Sequence, residues 1–121
     1  MNLANINAAA ALYKVLPPNL FLVAIEGAPQ RRGFGYNDYT CVFGKDPEAD
    51  PGDEFDGVQL IFVTEKITIS EQEAYEGVLK AIAEFSASHP QLIARLEGAS
   101  ALIAREIEAL RKPLDPSAGT L

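Results

Sequence analysis

The spacing of apolar residues changes several times along the chain, and each change predicts an element. Asn7 stands where it would cap a short helix over residues 8–15, which Pro17 and Pro18 stop. The run Leu20-Phe21-Leu22-Val23-Ala24-Ile25 is apolar throughout. It fits a buried strand or a further helix equally well, because periodicity does not separate the two over so short a stretch. Residues 31–38 carry Gly33 and Gly35 and read as a turn. Tyr39-Thr40-Cys41-Val42-Phe43, rich in β-branched and aromatic types, reads as a strand. Residues 57–64 give the clearest strand pattern, and Thr64-Glu65-Lys66 turns it into Ile67-Thr68-Ile69, a β-hairpin.

From Ser70 onward the period becomes helical. Ser70-Glu71-Gln72-Glu73 is a capping box, and its acidic first turn suits the helix dipole. Ala74, Val78, Ile82 and Phe85 then follow at helical spacing, with Tyr75 and Leu79 widening the apolar face. Ser88-His89-Pro90 ends this helix and opens another, with Pro90 in its first position. Leu92, Leu96, Ala99, Ile103, Ile107 and Leu110 make the stripe of the second helix, which Gly98 loosens or breaks and Lys112-Pro113 stops. The predicted fold is α+β: a small antiparallel sheet with an N-terminal helix and a C-terminal helical hairpin packed on it. Residues 1–112 are expected to form this single domain and residues 113–121 a mobile tail.

Composition narrows the function. With 121 residues, of which 48% are hydrophobic and 22% charged, the chain suits one core and has no room for a second domain of ordinary size. Lys and Arg number 10 against 17 Asp and Glu, a net charge of −7, which argues against nucleic-acid and anionic-membrane partners. Cys41 stands alone, so neither an intramolecular disulfide nor a cysteine-based zinc site can form. The first residues lack the basic segment of a signal peptide, and no apolar run reaches a membrane-spanning length. A cytoplasmic protein is expected.

The charge is local. Residues 45–73 alone sum to −7, and the rest of the chain balances to zero. Asp46, Glu48, Asp50, Asp53, Glu54 and Asp56 put six carboxylates into eleven residues, broken by Pro47, Pro51 and Gly52. Such a segment is an exposed loop. It either serves solubility or forms a contact patch for Lys and Arg side chains, reached by steered encounter and held by charge-assisted hydrogen bonds. Tyr36, Tyr39 and Phe55 would supply its aromatic anchors, and Glu65 would extend it from the hairpin turn.

Catalysis finds little support. His89, the single histidine, sits beside Pro90 in a capping position, and Cys41 lies among apolar strand residues. No Gly-x-Ser-x-Gly elbow occurs, and Gly33-Phe34-Gly35 lacks the third glycine of a dinucleotide loop. Asp46, Glu48 and Asp50 alternate like calcium ligands, but Pro51 stands where glycine must turn and Gly57 where a bidentate Glu is needed. No metal, no cofactor and no enzymatic activity are expected.

Gly33-Phe34-Gly35, Cys41-Val42-Phe43, Phe55-Asp56-Gly57-Val58, Ile69-Ser70 with Glu73 and Tyr75, and His89-Pro90 occur in this order. In order and spacing they resemble the CdiI-type immunity proteins of contact-dependent growth inhibition systems, over roughly residues 31–92. The resemblance implies a cytosolic antitoxin, without catalysis or cofactor, that binds a ribonuclease toxin domain stoichiometrically and blocks its active site. The alanine-rich N-terminus and the long last helix depart from the pattern. A monomer that forms a heterodimer with a basic toxin is expected. The alternative is a scaffold protein that self-associates through Ile103, Ile107 and Leu110.

Overall fold

The computed structural model describes residues 1–111, so the expected tail at 113–121 lies outside the described residues. Helix α1 (Leu3–Lys14) is capped by Asn2, whose side chain accepts from the amides of Ala4 and Asn5 at 2.8 and 3.4 Å. Asn7, the cap expected from sequence, lies inside the helix and accepts from Lys80 on its exposed side. Two prolines then open a second helix instead of only ending the first. Pro17 is the N-cap of α2 (Pro18–Gly27), and Pro18 fills a first-turn position that has no amide partner to lose. The apolar run at 20–25 is therefore helical. A single 3-10 turn, Ala28–Gln30, leads to the sheet.

The sheet has four antiparallel strands in sequence order: β1 (Phe34–Tyr36), β2 (Tyr39–Phe43), β3 (Val58–Phe62) and β4 (Glu65–Ile69). The glycine-rich segment read as a turn thus contains β1, paired Phe34↔Cys41 and Tyr36↔Tyr39 around a two-residue turn at Asn37-Asp38. The β3–β4 register pairs Phe62 with Glu65, so the turn is Val63-Thr64, and Glu65 and Lys66 belong to the strand. Val63 adopts φ 56°, a costly conformation for a β-branched residue, and its amide donates to the Asp38 carbonyl at 2.9 Å. That bond ties the two neighbouring turns together.

Helix α3 (Glu71–Ser88) begins at the capping box read from sequence, and α4 (Ile93–Arg111) follows a 3-10 turn at Pro90–Leu92. Helix α4 runs through Gly98 without interruption. Phe34, Cys41, Phe43, Val58, Leu60 and Ile69 point from the sheet to the helices, where Leu12, Tyr13, Phe21, Tyr75 and Val78 complete one core. Tyr13 meets Phe34 edge-on at 4.9 Å, and the Tyr75 hydroxyl donates to the Ala28 carbonyl at 3.0 Å. The chain is therefore α+β, with two N-terminal helices rather than one.

One carboxylate joins two helix starts. Glu73 Oε1 accepts from the Ser70 amide at 3.0 Å and from Asn5 Nδ2 at 3.2 Å, while Oε2 accepts from the Asn2 amide at 2.8 Å. Glu73 is only 8% exposed, and these donors, the Ser70 amide foremost, hold its pKa down at about 2.

Candidate functional site

The acidic residues occupy the β2–β3 connection, and the backbone closes its base. The Gly44 amide donates to the Gly57 carbonyl at 2.9 Å, and the Phe55 amide donates to the Gly44 carbonyl at 3.2 Å. Both glycines are demanded by space. A Cβ on Gly44 would lie 2.0 Å from the Phe55 carbonyl oxygen, and Gly57 takes φ 98° with its own Cβ position 2.3 Å from the Ile69 oxygen. Lys45 and Asp56 pair across this base at 3.4 Å. Inside it, Asp46 Oδ1 accepts from the Glu48 amide at 2.8 Å, and Glu48 reaches Arg32 at 3.9 Å. Asp50, Asp53 and Glu54 are exposed and make no ion pair among the described residues.

The other residues of the expected patch lie elsewhere. Phe55 is half-buried at the loop's base and is the aromatic that accompanies the carboxylates. Tyr36, Tyr39 and Glu65 form one cross-strand row with Phe62, at the end of the sheet away from the loop. Tyr39 is four strand steps from Phe43, about 13 Å. Tyr36 and Tyr39 rest half-buried against the core, and Tyr39 meets Phe62 edge-on at 6.5 Å. The structure thus gathers Asp46, Glu48, Asp50, Asp53, Glu54, Asp56 and Phe55, and sets Tyr36, Tyr39 and Glu65 apart.

His89 and Cys41, the two residues weighed for catalysis, have structural surroundings. His89 is the C-cap of α3, stacked on Phe85 with centroids 3.9 Å apart, and its Nδ1 lies 3.0 Å from the Phe85 carbonyl. Cys41 is buried, its Sγ 3.8 Å from the Tyr13 hydroxyl, and burial pushes its thiol pKa up to about 12. Cys41 should therefore resist a thiol reagent at pH 8 in the folded protein and react promptly in 6 M guanidinium. Equal rates in the two conditions would show that the strand opens readily. Among the described residues no three of His, Cys, Asp and Glu gather as metal ligands, and no helix is long and apolar enough to cross a membrane.

The stripe on α4 is not a free dimer face. Ile103 and Ile107 are buried in the protein's own core, and only Leu110, 40% exposed, is open to solvent. The apolar surface that sequence reasoning missed belongs to α2. Phe21, Leu22, Ala24 and Ile25 face the core, yet Leu20 and Val23 are 44% and 64% exposed on the other side. Together with Leu16 and Phe34 they line a groove of about 380 Å³ between α2 and β1. The signal was present in the sequence: Glu26 is the single charged residue of Pro18–Gly27.

A family model described as CDI immunity protein matches residues 5–96, which takes in α1, α2, the whole sheet, α3 and the start of α4. The alanine-rich N-terminus, which departed from the pattern read in the sequence, thus lies inside the match from residue 5 on, and Ile103 and Ile107 lie beyond it. No curated protein and no solved structure matches the chain.

Proposed function

The chain belongs to the CDI immunity protein family, and on that footing we propose that it neutralises its cognate toxin by offering the acidic loop at 45–56 to a basic active-site cleft. A nuclease cleft, here that of a ribonuclease, is basic because it holds phosphates, and carboxylates can stand where those phosphates would sit. The observation that carries the reading is the loop itself, in which Asp50, Asp53 and Glu54 are exposed on a closed backbone base with no ion pair among the described residues. A loop fastened at its stem presents charge with less entropy to lose on contact. The product is a one-to-one complex of a cytoplasmic monomer with the toxin domain, formed without chemistry on either partner. Asp46 and Glu48, already engaged with the loop amide and Arg32, shape the patch more than they bind.

Stopped-flow mixing with the toxin domain tests the proposal. The triple variant Asp53→Asn, Glu54→Gln, Asp56→Asn should associate about tenfold more slowly at low salt, with a flatter salt dependence. It should also protect RNA from the toxin less well at short times. An unchanged association rate would sink the charged-loop reading and leave family membership intact.

A further inference from the structure

We propose that the groove between α2 and β1 is the anchoring half of the toxin-binding surface, taking an apolar side chain that the toxin carries beside its Lys and Arg residues. The inference rests on the toxin-binding reading above and assigns to that interface a part the acidic loop does not supply. A helix apolar on every side is normally covered on every side. Helix α2 is covered on only one. Leu20, Val23 and Gly27 recur at helical spacing along its outer face, the buried Leu16 just before the helix also lines the groove, and beside them Phe34 lies half-buried on the edge strand β1. The two charged groups at the rim are already engaged: Glu26 holds Arg95 through two hydrogen bonds of 2.8 and 2.6 Å, and Arg32 reaches Glu48.

Continuity with the acidic loop identifies the occupant. Gly33, Phe34 and Gly35 border the groove on one side and, on the other, a shallower hollow that Asp46 and Glu48 close. Asp46 and Glu48 in turn border the space inside the loop that Asp50 and Asp53 line. Apolar groove and carboxylates are thus neighbours on one continuous surface. A partner lying across it needs an apolar anchor next to cationic side chains, which is the chemistry of a folded basic toxin domain. The division of labour follows from physics. Exposed charges govern encounter, whereas a desolvated apolar contact governs residence time.

The probe is the C-terminal domain of the cognate toxin, sought in the reading frame next to this gene, immobilised and exposed to the 121-residue chain. Val23→Asp and, separately, Leu20→Asp should raise the dissociation rate about tenfold or more and leave association within about twofold. Thermal melts confirm that each variant is folded. If Leu20→Asp does not fold, Val23→Asp decides, because Val23 is 64% exposed and supports little of the core. Unchanged residence times for folded variants overturn the proposal. A free protein that sediments as a dimer, dispersed by Val23→Asp with toxin residence unchanged, overturns it in favour of a second copy. The two readings fail separately. Slower association of the loop variant with normal residence of the groove variants removes the groove alone, and the reverse pattern removes the charged loop alone.

Discussion

Changing Gly77 to leucine is expected to abolish folding, and changing it to alanine to cost about 1–3 kcal/mol. Gly77 lies in α3 where α1 crosses it. A Cβ there would sit 2.5 Å from the Ala9 Cβ, 2.7 Å from the Ile6 oxygen and 3.0 Å from the Ala10 amide nitrogen. Two of those three atoms are backbone, so α1 as a whole would have to move, and it is wedged against β2 and β3 as well as α3. Alanine's better helix propensity, about 1 kcal/mol, offsets part of the strain. The control is Gly98, in mid-α4, where an added Cβ meets nothing within 4 Å. Gly98→Ala should therefore stabilise by about 1 kcal/mol. Urea midpoints for the wild type and the two alanine variants measure both effects. Shifts of equal sign would show that helix propensity, not the α1–α3 approach, governs Gly77.

The second large effect is expected at Glu73. Glu73→Ala leaves the Asn2 and Ser70 amides, at the starts of two helices, without their acceptor, for a loss of about 2–4 kcal/mol. The carboxyl's folded pKa of about 2 lies below its ordinary value, so its contribution is complete above that ordinary value. It fades as pH falls through about 2, where the carboxyl protonates in the folded state too. Thermal melts of wild type and Glu73→Ala should therefore differ most at neutral pH and converge towards pH 2. A gap that stays constant to pH 2 would mean that the shape of the side chain matters and its charge does not.

The legible parts of the fold were those dictated by neighbours in sequence. The capping box is written in Ser70 and Glu73, and the α3 and α4 stripes are written in their spacing. What escaped depended on distant partners. Asn2 makes its cap bonds locally, to Ala4 and Asn5, but the bond that holds its own amide in place comes from Glu73, seventy-one positions away. Asn7 looked like a cap because it precedes an alanine run, yet the helix needs no start there once Asn2 supplies one. The run at 20–25 was undecidable alone, and Pro18 in a first-turn position settles it as helix. At the candidate site, the carboxylates of the loop were found because charge density survives any fold. Tyr36, Tyr39 and Glu65 were grouped with them by proximity along the chain, and the sheet places them at its other end. An antiparallel strand separates its two ends by its whole length, so β2 carries Tyr39 away from the loop that begins after Phe43.

The bond between Asn2 and Glu73 also sets an order of events during synthesis. Helix α1 leaves the ribosome before α3, and the carboxylate that fastens its start and the Gly77 surface it lies on are made some seventy residues later. At usual elongation rates that interval is several seconds. Throughout it, Ala9, Leu12 and Tyr13 have no helix to cover them. A nascent chain must therefore be carried past α3 before its first helix has a home, and a chain cut short before residue 73 would keep α1 and α2 as unfinished apolar surface. Protection against the toxin begins with the completed molecule and not with any early fragment of it.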